Sequence, residues 1–256
     1  MIESTKRRLA LITGGAQGVG RAIADRLAQN GVSLLIGDIQ LDAARQAVSE
    51  LAEAGAEATA LRIDVSDEQS VAQAYAEIDR RFGRLDILVN NAGVLDLVEG
   101  KRSTLEDMPL ATWERTVKVN LTGAFLMSRG AIPLMRRGKW GRIVNITSVA
   151  ARKKTSISNS AYAASKAGMH GFSRVLAVEV GRDGITVNCV APSRMVTAWT
   201  MKIQDQDYFE RGIAETAIGR LTTPADVANT TAFLCSEDAN FLTGTIIDVN
   251  GGAFMP

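Results

Sequence analysis

Short apolar runs alternate along this chain with longer stretches in which apolar residues return every three or four positions. The runs at 9–13, 32–37, 57–63, 85–89, 142–148, 184–190 and 244–249 read as strands, and that at 9–13 is close to continuous, the pattern of a strand covered on both faces. Between them, 21–30, 41–54, 67–82, 159–181 and 224–235 have amphipathic helical spacing, and in the longest of these Met169, Phe172, Leu176 and Val180 mark one face. Asp67 and Thr223 stand where helix N-caps are needed, and Pro224 takes a first helical position. Strands alternating with helices of this length require right-handed crossovers. They predict an α/β fold: a doubly wound parallel sheet of about seven strands with helices on both faces and ligands at the carboxyl ends of the strands.

Composition narrows the picture. At 256 residues one domain, 1–256, is expected, because no linker, repeat or low-complexity tract divides the chain and its five prolines are scattered. Lys and Arg number 29 against 28 Asp and Glu, a balance that argues against nucleic acid or a membrane surface as the main partner. No signal-peptide core and no bilayer-length apolar stretch is present, so a cytoplasmic location is expected. Cys189 and Cys235, in apolar contexts, read as buried free thiols of a reducing compartment rather than a disulfide or a nucleophile. His170 is the sole histidine, and no cluster has metal-ligand spacing, so no metal is expected. A helix-surface or subunit-contact position is expected for His170.

The candidate chemistry lies at the strand ends. Tyr162 and Lys166 are four apart on a helix and leave the same face. A phenol with a pKa of about 10 is a poor base at neutral pH, and a fixed ammonium beside it favours the phenolate. Ser148, at the end of the run 142–148, is positioned to hold a substrate oxygen beside that phenol. By itself Tyr-x-x-x-Lys is common on amphipathic helices. Near the N-terminus, the strand 9–13 leads into Gly14-Gly-Ala-Gln17-Gly18-Val19-Gly20 and then a helix, an arrangement in which glycines and a helix N-terminus cradle a pyrophosphate. The spacing is Gly-x-x-x-Gly-x-Gly rather than Gly-x-Gly-x-x-Gly. Asp38, ending the second strand, falls where an adenosine ribose is expected; a carboxylate there binds the 2′ and 3′ hydroxyls and repels a 2′-phosphate. With neutral Gln17 nearby, this points to NAD over NADP. The other reading of Asp38 is a cap for helix 41–54.

Taken in order, these motifs resemble the short-chain dehydrogenase/reductase family over nearly the whole chain. Thr13-Gly-Gly-Ala-Gln-Gly18-Val-Gly20 is similar to its cofactor turn, Asp64-Val65 to its adenine contact, and Asn90-Asn91-Ala92-Gly93 to the motif closing its fourth strand. Asn120, Ser148, Tyr162 and Lys166 match its catalytic tetrad. The resemblance implies a single-domain Rossmann fold with Tyr162 as general acid/base and Ser148 orienting the substrate oxygen. Lys166 would bind the nicotinamide ribose and lower the phenol pKa, and Asn120 would hold a water in a relay to Lys166. Cofactor contacts are implied at Gly14, Gln17, Gly18, Val19, Gly20, Asp38, Ile39, Asp64, Val65, Asn91, Ala92, Gly93, Tyr162, Lys166, Pro192, Met195 and Thr197.

The chain departs from the family pattern at several places. Ser193-Arg194 replaces the usual glycine after Pro192, and Asn250 replaces the usual Asp before Gly251-Gly252. The segment 94–110 and the loop between Ser148 and Tyr162 are longer than the family needs. The basic triplet Arg152-Lys153-Lys154 in that loop reads as a solvated surface. Residues 198–219 resemble the substrate lid, over which Trp199, Met201, Tyr208 and Phe209 either close or pack on their own helix.

The resemblance also implies a homotetramer. The leading expectation is an NAD(H)-dependent oxidoreductase of a secondary alcohol, polyol or cyclic diol and its ketone. The alternatives are a 3-oxoacyl carrier-protein reductase, whose acidic partner would meet Arg136, Arg137, Lys139 and Arg182, and a non-catalytic NAD-binding regulatory protein.

Overall fold

The computed structural model describes residues 7–96, 103–153, 158–203 and 205–255. Seven strands, β1 (Leu9–Thr13), β2 (Ser33–Asp38), β3 (Ala58–Arg62), β4 (Ile87–Asn90), β5 (Gly141–Ile146), β6 (Ile185–Pro192) and β7 (Ile246–Val249), form one sheet in the order β3-β2-β1-β4-β5-β6-β7. Every pair is parallel. The chain winds outward from β1 to β3 and then crosses back to β4, so the strand order reverses between β1 and β4. At such a point neighbouring crossovers leave on opposite faces and a crevice opens above the strand ends.

Alternate residues of the buried strands feed two cores. On one face Leu11, Leu35, Leu88, Ile143 and Val187 pack with residues of α3 (Glu68–Phe82), α5 (Gly123–Gly138) and α6 (Ser160–Val180), including Ile78, Met127 and Leu176. On the other, Ile12, Ile36, Val89, Val144 and Val190 pack with α1 (Gly18–Gln29), α2 (Leu41–Glu53) and α9 (Pro224–Leu234) through Ile23, Leu51 and Val227. Continuous apolar runs are therefore what both faces demand. The expected caps form: Asp67 accepts from Gln69 N–H and Ser70 N–H, and Thr223 and Asp226 make a reciprocal capping box ahead of α9.

Three boundaries differ from the sequence expectation. Helix α1 begins at Gly18, three residues early, so Gly18 to Gly20 form its first turn rather than a free loop. Strand β5 stops at Ile146, which leaves Ser148 beyond the sheet as N-cap of a 3₁₀ turn, Val149–Ala151. The segment 94–141, for which the apolar pattern predicts no element, is helical from Leu110 onward: α4 (Leu110–Val117), a π turn (Lys118–Thr122) and α5. Gly123, Gly130 and Pro133 interrupt that segment and disguise the spacing of Leu126, Met127, Leu134 and Met135, all buried.

Two further helices, α7 (Ala198–Ile203) and α8 (Gln206–Ala214), follow β6. Residues 99–102 and Lys154, singled out in the sequence, lie outside the described residues, as does the side chain of Trp199. Cys189 and Cys235 are buried and free, and no described helix is long and apolar enough to cross a membrane.

Candidate active site

The turn between β1 and α1 is shaped for an anion. At its N-cap, Gln17, no side chain satisfies the first N–H groups of α1, and no acidic residue occupies the first turn. Those donors and the helix dipole are left for a ligand. A Cβ on Gly20 would lie 2.1 Å from Gly14 O, so only glycine lets the helix start this close to the turn. Asn91 Nδ2 donates to the carbonyls of Thr13 and Gly14 at 3.0 Å each, while Thr13 Oγ1 accepts from Asn91 and Ala92 N–H. The end of β4 thus fixes the turn, which is the physical use of the Asn90–Gly93 motif.

Asp38 accepts from Gln40 N–H at 3.0 Å and from Ala16 N–H at 3.4 Å. The N-cap of α2 is Gln40, so Asp38 does not cap that helix, and its carboxylate keeps capacity for hydroxyl donors. Ile39 is exposed beside it. Asp64 Oδ1 accepts from the N–H and hydroxyl of Ser66, and Val65 is buried in the core. This donor and acceptor set fits a dinucleotide.

A cavity of about 510 Å³ opens at the carboxyl ends of β4, β5 and β6; its lining includes Ser148, Tyr162, Lys166, Arg194, Thr197 and Tyr208. Val19, Asn91, Gly93, Pro192 and Met195 also line it, joining it to the cofactor turn. Asn120 is buried, and neither it nor Gln17 nor Asp38 is among the residues that line the cavity.

Helix α6 starts where Asn159 Oδ1 accepts from Tyr162 N–H at 2.9 Å, which sets the phenol at its first turn. Lys166, one turn on, is buried, with Nζ 5.8 Å from the Tyr162 ring centroid and donating to Ile146 O at 2.8 Å. Burial pushes the lysine down to about 8. It pushes the Tyr162 phenol up, against a hydrogen bond with Ser148, and Tyr208 adds to the rise. The expected lowering of the phenol by Lys166 is therefore outweighed here, because desolvation acts on the whole ring while the ammonium sits nearly 6 Å off and is engaged by a carbonyl.

The π turn carries Asn120 inward. Its Oδ1 accepts from Val94 N–H at 2.8 Å, and its Nδ2 donates to Val94 O and Ser165 Oγ, clamping the chain after β4 to α6. His170 corrects an expectation: it is buried, not on the helix surface, and its Nε2 meets Thr147 Oγ1 at 3.1 Å. Since that hydroxyl donates to Val190 O, Nε2 is the donor in this pair. Burial, with Arg152, Arg174 and Lys166 nearby, pushes its pKa down to about 4.

The basic loop is not a solvated surface either. Arg152 pairs with Asp248 at 3.3 Å, and Lys153 Nζ donates to Ala253 O at 2.8 Å and pairs with Glu215. Both side chains tie the Ser148 loop to the C-terminal segment.

Arg194, known from the sequence only as a departure, is buried under α8, where it donates to Tyr208 O and to Glu215 Oε1 at 3.0 Å each. Thr197 Oγ1 accepts from Thr200 N–H, and Thr200 joins it in the cavity wall. Of the four lid aromatics and methionines, Tyr208 lines the cavity; Met201 is exposed, and Phe209 packs edge-on against Tyr208 with ring centroids 5.2 Å apart. Asp96 and Ser158 also line the cavity, and sequence spacing gave no signal for either.

Comparison with known proteins agrees with this geometry. The family profile described as enoyl-(acyl carrier protein) reductase matches residues 14–253. The 3-oxoacyl-[acyl-carrier-protein] reductase FabG of Aquifex aeolicus is 37% identical over 251 residues, covering 96% of this chain and 97% of that protein. The (2S)-[(R)-hydroxy(phenyl)methyl]succinyl-CoA dehydrogenase subunit BbsD of Thauera aromatica is 37% identical over 247 residues, covering 96% of each. The crystal structure of a 3-oxoacyl-[acyl-carrier protein] reductase with bound NAD from Brucella melitensis superposes with a TM-score of 0.89 at 35% identity, covering 99% of this chain and 93% of that one. With its parallel sheet, its glycine turn and its Ser148, Tyr162 and Lys166 in one cavity, this chain belongs to the short-chain dehydrogenase/reductase family of nicotinamide-dependent oxidoreductases.

Proposed function

We propose that the protein interconverts a secondary alcohol, polyol or cyclic diol with its ketone, using NAD(H). The observation that carries this reading is the continuity between the cavity holding Ser148, Tyr162 and Lys166 and a turn whose ribose end carries Asp38. A bound nicotinamide supplies the hydride exchange with the substrate carbon. The chain supplies the rest. In oxidation Tyr162 Oη accepts the alcohol proton, and Ser148 Oγ holds the same oxygen against the phenol. The Lys166 ammonium opposes the burial penalty on the phenolate and binds ribose hydroxyls. Asn120 keeps the Val94 backbone in place and holds a water toward Lys166. Asp38 accepts from the adenosine ribose hydroxyls and disfavours a 2′-phosphate. Residues 198–219 act as the lid, pinned by Arg194 through Tyr208 O and Glu215.

A 3-oxoacyl carrier-protein reductase is the second reading, favoured by the name of the Aquifex relative. Two of the cations that would meet an acidic carrier are engaged within the chain: Arg136 pairs with Asp183 at 2.7 Å and Arg137 with Asp79 at 2.5 Å. The Brucella reductase holds NAD, so Asp38 alone does not separate the two readings.

The same reading includes a homotetramer. Val175 and Val178, at 61% and 84% exposure, lie on the outer face of α6, with Phe125 exposed on α5, while Phe233 and Phe241 are exposed elsewhere. Apolar area of this kind is covered in an assembly, and sedimentation of the purified protein as a monomer would remove that part of the proposal. The buried free thiols favour a reducing, cytoplasmic setting.

Calorimetric titration with NADH and then NADPH, followed by a panel of ketones and acyl thioesters, tests the reading. Tighter NADH binding with turnover of small or cyclic ketones supports it; tighter NADPH binding with activity only on thioesters overturns it. Tyr162→Phe is expected to abolish turnover while leaving NADH affinity intact.

A further inference from the structure

The cavity wall holds a feature that neither proton transfer nor dinucleotide binding uses. Among the buried side-chain oxygens left without a hydrogen-bond partner in the described residues, two belong to residues lining this cavity: Asp96 Oδ2 and Ser158 Oγ. They come from different segments, one following β4 and one preceding α6. They are nonetheless held together. Asn159, next to Ser158, donates from Nδ2 to Asp96 O at 3.0 Å and accepts from Tyr162 N–H at 2.9 Å. The same asparagine thus fixes the position of Asp96 relative to the helix turn that carries the phenol.

A buried oxygen without a donor is costly, and native sites keep one where a ligand or water fills it. Asp96 is already charge-compensated on its other oxygen, since Arg115 donates to Oδ1. What Oδ2 lacks is a donor. An ionised carboxylate accepts only, so the complementary substrate group is a donor, which on the alcohol, polyol or diol substrates proposed above is a hydroxyl. An acyl chain against Asp96 would leave the oxygen unpaired, and so would an anionic group, which brings no donor. Of the two cations on this wall, Arg194 is engaged by Tyr208 O and Glu215, and Lys166 donates to Ile146 O.

We infer that Asp96 and Ser158 form a hydroxyl-reading subsite, which selects substrates bearing a second hydroxyl near the carbon that is oxidised or reduced. The inference rests on the alcohol–ketone reading above and narrows its substrate class to diols, polyols and hydroxyketones. Asp96 and Ser158 are specificity residues in this scheme; the proton transfer stays with Tyr162.

The test compares kcat/KM for cyclohexane-1,2-diol with that for cyclohexanol, and for butane-2,3-diol with that for butan-2-ol, under saturating NAD. The wild-type protein should prefer each diol by at least about tenfold, the scale of a hydrogen bond to a charged group. Asp96→Asn retains an acceptor toward Arg115 but removes the charge, and should reduce the diol-to-monoalcohol ratio by on the order of 10- to 100-fold. Ser158→Ala should reduce it by a smaller factor, and it gives an independent reading if Asp96→Asn folds poorly, which NADH titration of each variant reveals. A ratio near one in the wild type, or a ratio that both variants leave unmoved, overturns the subsite and leaves the oxidoreductase reading standing. Turnover of none of the four alcohols, nor of their ketones, overturns that reading and the subsite with it.

Discussion

Replacing Lys166 by Met measures how far the ammonium tunes the phenol. The substitution keeps the stem and removes the charge 5.8 Å from the Tyr162 ring centroid. At that separation, and with an effective dielectric constant of about 20, a unit charge and a phenolate attract by about 3 kcal/mol, equivalent to roughly two pH units. Burial raises the phenol even with the lysine present, so removing the lysine should raise it further. Lys166 itself, pushed down to about 8, is mostly charged at neutral pH and so contributes there. In oxidation the phenolate is the active form, and activity climbs as pH rises through the coupled titration of the pair. The expected outcome, with kcat measured at saturating NAD, is a loss of on the order of 100-fold in Lys166→Met below pH 8, narrowing above it as the wild-type lysine sheds its charge. Saturation matters, because the loss of a ribose contact also weakens cofactor binding. A kcat unchanged below pH 8 would refute the electrostatic role and leave Lys166 as a prop for Ile146 O.

Other substitutions probe the frame around that pair. Gly20→Ala places a methyl carbon 2.1 Å from Gly14 O, a backbone atom that cannot swing aside, so NADH affinity should fall by at least about tenfold in calorimetry. For His170, the pKa of about 4 in the fold against 6.5 in the open chain means the unfolded state binds the proton first as pH falls. Stability is therefore full above 6.5 and declines toward 4, by about 2 kcal/mol once solvent screening is allowed for, and His170→Asn should flatten that part of the denaturant-unfolding profile. Thr223→Ala removes one half of the capping box on α9 and should cost about 1 kcal/mol, seen as a fall in Tm of roughly 2–4 °C without change in turnover.

The strands were legible because burial on both faces writes apolar runs, as in 9–12 and 34–36. Tyr162 and Lys166 were legible because one helix sets their relation. What depends on two segments meeting was not. His170 looked like a surface residue because nothing local to Gly-Met-His-Gly records that Thr147 reaches it from the end of β5. Arg152 and Lys153 looked solvated because their partners, Asp248, Glu215 and Ala253, lie far along the chain. The helix from Leu110 was hidden by Gly123, Gly130 and Pro133, and by a π turn that breaks the 3.6-residue period. Asp96 is the extreme case, since no described residue donates to its Oδ2.

The π turn at Lys118–Thr122 also bears on how this chain can change by mutation. Such a turn holds one residue more than an α-helical turn, so an in-frame loss of a single codon there converts Leu110 to Gly138 into one unbroken α-helix. The repaired helix would be at least as sturdy and its flanking segments would stay in register, since the wider turn is what absorbs the surplus residue, yet the side chains within the turn would be aimed elsewhere. Asn120 would release Val94 and Ser165. Selection for a robust fold and selection for turnover are thus opposed at this one locus, and a library of single-codon deletions scored separately for abundance and for activity should show the two diverging between residues 118 and 122.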